Sequence, residues 1–290
     1  MNSALREAIR STAGHPGPIG VFDSGYGGLT ILREIRRALP DADYIYLGDN
    51  ARAPYGSRSF ELVYKFTLEA VEYLFSQGCQ LVILACNTAS AKALRTIQQN
   101  DLPMLDPGRR VLGVIRPTAE NVGKLSRNGH VGLFGTPGTV ASGSYDLELA
   151  KLQPHLRLSS HACPMWVPLV ENLEAEGEGA DYFVRKDIDA LFAADKEIDT
   201  VILGCTHYPL LLRKIRQYLP EGTAIVNQGE IVAESLLDYL RRHPGMDCRI
   251  TRGGTVRYLT TEEPAKFSSL AAVFMGENAE SRRITLPNLL

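Results

Sequence analysis

The sequence lacks both a long hydrophobic run and an excess of charge of either sign. Its longest apolar run, 81–86, has about six residues, whereas a membrane-spanning helix needs about 20. Residues 1–18 contain no apolar core of the kind that a secretory signal requires. The 31 basic and 33 acidic residues leave a net charge of −2, which gives no general attraction to nucleic acid or to an anionic membrane. We therefore expect no membrane and no nucleic-acid partner.

Cysteine is scarce, and its spacing does not fit the usual zinc and redox motifs. The 290 residues include five cysteines, an odd number with no CxxC pair, in a chain long enough to fold without disulfides. We therefore expect reduced thiols and a cytoplasmic location. The strand ends discussed below also lack metal-ligand spacing and a phosphate-binding loop, so we expect no metal and no cofactor.

Short apolar runs alternate with helical patterns, which is typical of an α/β fold with a mostly parallel sheet. The pattern restarts midway along the chain. In each half, one strand runs into small polar residues, and a later apolar strand ends in cysteine. The interval from Asp23 to Cys86 is 63 residues, and the interval from Gly135 to Cys205 is 70 residues. The matched segments are short, and they favour two similar halves, each built on an open parallel sheet.

Two cysteines lie where a parallel sheet places its ligands. Cys86 and Cys205 each follow an apolar strand and precede polar residues, and ligands bind beyond the carboxyl ends of such strands. A helix that begins there favours a thiolate, so we expect a lowered thiol pKa. Each cysteine could equally be a small core residue. Cys205 and His207 could instead supply two ligands of a zinc site, although two ligands are too few.

Two further loops follow strands and offer polar groups. Asp23 precedes three glycines within 25–28, which permit close backbone approach and expose amide donors. Their spacing is neither that of a dinucleotide-binding loop nor that of a P-loop. In the loop 48–56, the side chains that could contact a polar ligand are Asp49, Arg52 and Tyr55.

Two thiols at equivalent positions of two halves would face each other across a cleft. That arrangement suits a reaction in which one group removes a proton from one face of a carbon and another group returns a proton to the opposite face. A single nucleophilic cysteine would not require the second, symmetric one.

Five motifs occur in a fixed order: Asp-Ser-Gly-x-Gly-Gly at 23–28, Gly-Asp-x-x-Arg-x-Pro-Tyr-Gly at 48–56, Ala-Cys-Asn-Thr-Ala at 85–89, Gly-Thr-x-x-Thr at 135–139 and Gly-Cys-Thr-His-Tyr-Pro at 204–209. On these motifs the sequence resembles the glutamate racemases, cofactor-independent isomerases that make D-glutamate for peptidoglycan synthesis, and thereby for cell-wall biogenesis and cell shape. The resemblance extends over about 19–240.

The resemblance implies two α/β domains of the aspartate/glutamate racemase type, with the active site at their interface. The last strands after Gly222 would return to the first domain, which would then comprise 1–116 plus 225–290, while the second would comprise 117–224. It implies glutamate as the small-molecule substrate. We further expect a homo-oligomer, specifically a dimer.

The resemblance also implies a role for each site residue. Cys86 would take the proton from D-glutamate and Cys205 the proton from L-glutamate, and the other thiol would return one each time. Asp23 would assist at Cys86, and His207 and Glu171 would assist at Cys205. Tyr55 and Gly56 would hold the side-chain carboxylate of the substrate. The substrate-binding residues would be Asp23, Ser24, Pro54, Tyr55, Gly56, Asn87, Thr88, Thr136, Thr139, Thr206 and His207.

No lysine occurs in these motifs, so the developing carbanion would need preorganised donors rather than a Schiff base. The donor candidates are Ser24, Asn87, Thr88 and Thr206, with amides at the strand ends. The sequence departs from the family pattern at two places, because 227–229 reads Asn-Gln-Gly where an acidic residue and serine are frequent, and Tyr26 replaces a small aliphatic residue.

Two alternatives remain at this point. One is a related racemase or decarboxylase of the same fold that acts on aspartate, hydantoins, malonates or another small acid; the paired cysteines and the Thr-His-Tyr run at 206–208 argue against it. The other is a non-catalytic module that binds an anion with its strand-end loops, in which both cysteines could be replaced by serine without loss of function.

Overall fold

The computed structural model describes residues 3–287, which form two parallel β-sheets with helices packed around them. The strands are β1 (Ile19–Asp23), β2 (Tyr44–Gly48), β3 (Leu81–Leu84), β4 (Arg110–Gly113), β5 (His130–Gly135), β6 (Arg157–Ala162), β7 (Thr200–Gly204), β8 (Ala224–Val226), β9 (Val256–Thr260) and β10 (Ser281–Arg283). Within this part of the chain, no helix has the length and apolar character that crossing a membrane requires.

The helices vary from single turns to five turns. They are α1 (Ser3–Ser11), α2 (Leu29–Ala38), α3 (Phe60–Ser76), α4 (Asn87–Lys92), α5 (Leu94–Thr96), α6 (Leu102–Leu105), α7 (Ile115–Val122), α8 (Pro137–Ala141), α9 (Ser144–Leu152), α10 (Trp166–Glu171), α11 (Glu178–Ala194), α12 (Leu212–Tyr218), α13 (Gln228–Arg242), α14 (Pro244–Asp247) and α15 (Pro264–Met275). Short 3₁₀ segments lie at Asn50–Arg52 and Tyr208–Leu211, and a π-helical segment at Ile97–Asp101.

The two sheets repeat one strand order. The six-stranded sheet runs β10-β9-β2-β1-β3-β4 and the four-stranded sheet β6-β5-β7-β8, and every pair of neighbouring strands is parallel. The segments β2-β1-β3-β4 and β6-β5-β7-β8 are therefore equivalent, which confirms the predicted α/β fold with two similar parallel sheets. The central strands β1, β3 and β7 are buried along their whole length, because helices cover both faces of such a sheet.

Equivalent strands also share their register. Phe22 of β1 pairs with Leu84 of β3, and Phe134 of β5 pairs with Leu203 of β7. Cys86 lies two residues after Leu84, and Cys205 lies two residues after Leu203. The two cysteines therefore occupy the same position in the two halves. The repeated local sequence around them therefore corresponds to a repeated place in the fold.

One expectation about the chain path is wrong in part. Of the strands after Gly222, β9 and β10 return to the first sheet, but β8 pairs with β7 in the second. The amide of Ala224 extends this ladder by donating to Asp199 O at 2.8 Å. Since β8 is equivalent to β4, the second half needs it as its own edge strand. The chain crosses back only with α13, which packs against α2 of the first half.

Candidate active site

A pocket of about 110 Å³ lies between the carboxyl ends of the two sheets. It is walled on one side by the loops after β1, β2 and β3, and on the other by the loops after β5, β6 and β7. The structure brings together most of the residues that the sequence singled out. Those in its wall are Ser24, Pro54, Tyr55, Gly56, Cys86, Asn87, Thr88, Thr136, Glu171, Cys205, Thr206 and His207.

Two predicted substrate-binding residues lie behind this wall. Asp23 is fully buried; its Oδ2 accepts from the Gly25 amide at 2.9 Å, and its Oδ1 accepts from Thr206 Oγ1 at 3.4 Å. Thr139 Oγ1 lies 3.2 Å from Thr88 Oγ1 and 3.0 Å from Thr136 Oγ1. Both residues therefore support groups in the wall instead of forming its surface.

The thiol of Cys86 is shielded from water and held by two polar groups. Its Sγ lies 3.4 Å from Ser24 Oγ and accepts from the Ala89 amide at 3.4 Å. Burial and the nearby Asp23 carboxylate raise the pKa of Cys86 to about 12, and these two hydrogen bonds offset the rise only in part. The expectation that the helix start lowers this pKa is wrong here, because desolvation outweighs the amide of α4. Cys86 is therefore protonated at neutral pH.

The thiol of Cys205 lies beside the imidazole ring of His207. His207 Nδ1 lies 3.9 Å from Cys205 Sγ, and His207 Nε2 is 2.9 Å from Glu171 Oε1. Burial lowers the pKa of His207, but the hydrogen bonds to Cys205 and Glu171 outweigh it and raise the pKa to about 10. His207 is therefore an imidazolium at neutral pH, placed to donate a proton or a hydrogen bond to Cys205.

The Asp23 carboxyl connects the two thiol environments. Burial raises its pKa above the usual value, while the charge of His207 and the amides of Gly25 and Gly28 oppose that rise. Asp23 affects the Cys86 pKa, and it shares a hydrogen bond with Thr206 beside Cys205. This carboxyl therefore lies where the polar groups of the two halves meet.

Close backbone approach explains two glycines of the motifs. A Cβ at Gly27 would lie 2.2 Å from Thr206 Oγ1 and 2.5 Å from His207 Nδ1. A Cβ at Gly56 would lie 2.9 Å from the Cβ of Thr136. At both places the first half presses its backbone against the second, so only glycine lets the pocket close to these dimensions.

The loop 48–56 differs from the sequence interpretation. Asp49 and Arg52 do not reach the pocket, because Arg52 Nε donates to Asp49 Oδ2 at 2.7 Å and Arg52 Nη1 to Glu69 Oε2 at 2.6 Å. Tyr55 does line the pocket, but its hydroxyl donates a short hydrogen bond to Asp49. The buried ion pairs therefore anchor the loop from behind, which leaves the backbone of 54–56 and the ring of Tyr55 to face a ligand.

A buried amide network next to Cys86 was not evident from the sequence. Asn87 Nδ2 donates to Gln228 Oε1 at 2.8 Å, and Gln228 Nε2 donates to Asn87 Oδ1 at 3.1 Å. Tyr145 OH donates to Asn87 Oδ1 at 2.7 Å, and Thr118 Oγ1 lies 3.0 Å from Gln228 Nε2. The departure from the family pattern at Gln228 therefore supplies partners for a residue of the pocket.

The second departure, Tyr26, has an aromatic environment. Its ring packs on Phe267 at 5.5 Å and on Phe274 at 6.1 Å between centroids. The same Phe274 meets the ring of His207 edge-on at 5.4 Å. Helix α15 thus provides the apolar surface that a small residue at 26 would leave without a partner.

The sequence analysis also missed several residues of the pocket wall, namely Ala53, Ser57, Pro137, Cys163, Pro164, Val167 and Pro168. Cys163 follows β6, whose residues are mostly polar and none of which is fully buried. This strand is at a sheet edge and has no apolar run, so no strand-end signal marked it. Because β6 is equivalent to β2, and the loop after β2 carries a site motif, the repeat predicts that the residues after β6 also reach the site.

Known proteins resemble this chain along most of its length. Residues 19–236 match the family model for Asp/Glu/Hydantoin racemase. The chain is 41% identical over 273 residues to a glutamate racemase of Roseobacter denitrificans, an alignment that covers 90% of this chain and 98% of the relative.

Solved structures give the same result. A glutamate racemase isoform from Bacillus anthracis matches with a TM-score of 0.85 and 37% identity. A Francisella tularensis glutamate racemase, solved in complex with D-glutamate, matches with a TM-score of 0.82 and 30% identity. Both matches cover 93% of this chain and 98% of the other. The chain therefore belongs to the Asp/Glu/Hydantoin racemase family, and within it to the glutamate racemases.

Proposed function

We propose that this chain interconverts L- and D-glutamate with Cys86 and Cys205 as the two proton-transferring groups. The chain is an amino-acid racemase, an isomerase of the glutamate type. The observation that carries the two-thiol assignment is the equivalent position of the cysteines, at matching strand ends of two repeated sheets that share one pocket.

The proton transfers balance without any group from outside the pocket. The Cys205 thiolate takes the α-proton of L-glutamate, and the electron pair of the broken bond stays on Cα. The S–H bond of Cys86 then breaks as a new Cα–H bond forms on the opposite face. When D-glutamate departs, Cys86 is a thiolate and Cys205 is a thiol. These are the protonation states that the reverse reaction requires, so D-glutamate is racemised by the reverse path.

The two thiols are prepared differently for these steps. Cys86 is protonated in the free enzyme because its pKa is raised to about 12, so it is ready to donate. His207 carries a proton beside Cys205 and shares its charge with Glu171. We infer that Asp23 serves Cys86 in the corresponding way, receiving or returning the proton that resets the thiol.

The carbanion is stabilised by side chains that the pocket already holds in place. We infer that hydroxyls of Ser24, Thr88 and Thr206 and the free N–H of Asn87 face the α-carboxylate, where negative charge increases in the transition state. Thr136 and Thr139 fix the orientation of Thr88, and Gln228 fixes Asn87. The 54–56 segment, including Tyr55 and Gly56, is left for the side-chain carboxylate.

A circular-dichroism racemisation assay on the purified protein with no added cofactor tests the activity. We expect both enantiomers of glutamate to converge on the racemate. Solvent deuterium should enter Cα of L-glutamate far faster than Cα of L-aspartate; a preference for aspartate would identify a sister racemase. Catalysis that disappears after exhaustive chelation would contradict the cofactor-free mechanism.

The remaining assignments extend this proposal to the whole chain. The glutamate racemases supply D-glutamate for peptidoglycan, and with it for cell-wall biogenesis and cell shape. We propose a cytoplasmic location, a dimer, a first domain of 1–116 plus 227–290 and a second of 117–226, which includes β8. Light scattering after size exclusion, with and without glutamate, tests the dimer; fractionation of cells tests the location.

A further inference from the structure

A second set of chemically active side chains adjoins the pocket, and one of them, Cys163, belongs to its wall. His161 of β6, Cys163 just after β6 and Asp187 of α11 each offer a ligand-type atom, and these atoms all lie within 4.8 Å of one another. Within residues 3–287 no other group of three or more such side chains meets this condition. The mechanism above uses none of the three.

The local fold explains why they converge. His161 and Cys163 are two residues apart along an extended segment, so their side chains project to the same face. Helix α11 packs on that face of β6 and supplies Asp187. Because the ligands come from a strand end and a helix more than 20 residues later, a search for closely spaced motifs does not find them.

The carboxylate of Asp187 is only half satisfied. Its Oδ1 lies 3.1 Å from His161 Nε2, whereas its Oδ2 is buried and makes no hydrogen bond of adequate geometry. The residue is 6% exposed, so water does not reach that oxygen freely. A buried carboxylate oxygen without a partner is rare in folded proteins and requires an explanation.

The neighbouring thiol lies between two of these groups. Cys163 Sγ makes a long contact of 3.9 Å with His161 O, and it also interacts with the Asp187 side chain. Burial and the adjacent Asp187 carboxylate raise the pKa of Cys163 well above its usual range. An imidazole nitrogen, a thiol sulfur and a carboxylate oxygen thus lie within 4.8 Å of one another in a largely buried place.

We propose that His161, Cys163 and Asp187 form a binding site for Zn²⁺, with three protein ligands and a fourth position for water. Nitrogen, sulfur and oxygen donors from one residue each are a donor set that zinc accepts in tetrahedral geometry. Binding replaces the thiol proton, which is released to solvent as the zinc–sulfur bond forms. Zn²⁺ with one thiolate and one carboxylate forms a site of zero net charge, so binding would neutralise the Asp187 carboxylate next to Cys163, which lines the pocket.

Cobalt is the probe, because Co²⁺ occupies such sites and reports its ligands by absorption. The full-length protein, reduced and stripped of metal by chelation, is titrated with Co²⁺. We expect a thiolate-to-cobalt charge-transfer band and visible bands of tetrahedral cobalt that saturate at one ion per chain and are displaced by Zn²⁺. Cys163→Ser should abolish the charge-transfer band, and His161→Gln and Asp187→Asn should weaken binding about tenfold or more.

Matched variants distinguish this site from the catalytic thiols. His130 and Asp195 form a similar pair at 2.9 Å without a cysteine, so His130→Gln should bind Co²⁺ as the wild type does. Cys205→Ser and the exposed Cys248→Ser should also retain the band.

Absence of a thiolate band in the wild type would overturn the proposal. So would a band that survives Cys163→Ser and is lost in Cys205→Ser, because the metal would then sit on the catalytic thiol. If circular dichroism shows that Cys163→Ser does not fold, Co²⁺ binding by the His161→Gln and Asp187→Asn variants decides the question. His161 is partly exposed, so its replacement should be tolerated.

Discussion

Asn87 and Gln228 hold each other by two amide hydrogen bonds, of 2.8 and 3.1 Å, across 141 residues of sequence. Asn87 directly follows Cys86, and Gln228 begins the helix that carries the chain back to the first half. Both side chains are buried. The orientation of a pocket amide therefore depends on a residue that does not touch the pocket.

Replacing Gln228 tests this dependence. Gln228→Ala removes both hydrogen bonds between Gln228 and Asn87, so that Asn87 Nδ2 loses its partner and Oδ1 keeps only Tyr145. The free energy of unfolding should fall by about 1–3 kcal/mol, the cost of unpaired buried polar groups. We expect kcat/KM for glutamate to fall as well, because Asn87 loses its fixed orientation. Urea denaturation and the racemisation assay measure the two effects. Gln217→Ala, on an exposed position of α12, is the matched control and should change neither; equal behaviour of the two variants would refute the prediction.

The two thiols can be separated by half-reactions. A glutamate analogue that loses a leaving group after deprotonation needs only the first proton transfer. Cys86→Ser should retain elimination from the L-isomer and lose it from the D-isomer, and Cys205→Ser should show the reverse. The reason is that the serine hydroxyl has a much higher pKa than a thiol, so its deprotonated form is scarce near pH 7. Both variants should lose racemisation.

The exposed Cys248→Ser is the control for that series and should keep every activity. Racemisation at a near wild-type rate in either active-site variant would contradict the two-thiol mechanism. Loss of elimination from the same isomer in both variants would show that one of the cysteines is structural.

The charge on His207 should make stability depend on pH in a defined window. Its pKa is about 10 in the folded protein, against an ordinary value of 6.5, so its contribution is complete below pH 6.5 and is lost as pH rises towards 10. The difference in free energy of unfolding between wild type and His207→Gln should therefore shrink over that range, with a limiting slope of about 1.4 kcal/mol per pH unit. Urea denaturation of both proteins at several pH values measures it, and a difference that grows with pH would show that the sign is wrong.

The absence of a side chain at Gly27 should be important for activity. Gly27→Ala would push a methyl group into Thr206 and His207, and a displacement of about 1 Å at a reacting group can cost about 100-fold in rate. We expect a loss of that order in kcat/KM. Gly179→Ala, in helix α11, meets only Leu169 at 3.9 Å and should leave activity unchanged. Similar kinetics in the two variants would rule out close packing as the reason for Gly27.

The two cysteines that the sequence singled out after apolar strands both line one pocket in the structure. Cys86 and Cys205 were found because the run before each predicts a buried parallel strand, and such strands place their carboxyl ends at one edge of the sheet. The resemblance then added Glu171, whose contact with His207 at 2.9 Å cannot be derived from spacing alone.

Other features depend on contacts that local pattern cannot encode. Arg52 points away from the pocket because Asp49 and Glu69 pair with it, and loop composition does not show that direction. The three residues of β8 are too few for a periodic signal. The high pKa of Cys86 results from burial and from the Asp23 carboxylate, so a rule based on the adjacent helix start gave the wrong sign.

The repeated strand order also limits how alike the two directions of the reaction can be. Two segments of L-amino acids can be related by a rotation but never by a mirror, whereas L- and D-glutamate are mirror images. The repeat can therefore place a thiol on each side of Cα, yet it leaves Asp23 near one thiol and His207 with Glu171 near the other. Enantiomers have equal free energies in water, so the ratio of kcat to KM must be the same for both. The asymmetry of the walls can appear only as compensating differences in the two kinetic constants: the enantiomer with the lower KM must have a kcat that is lower by the same factor.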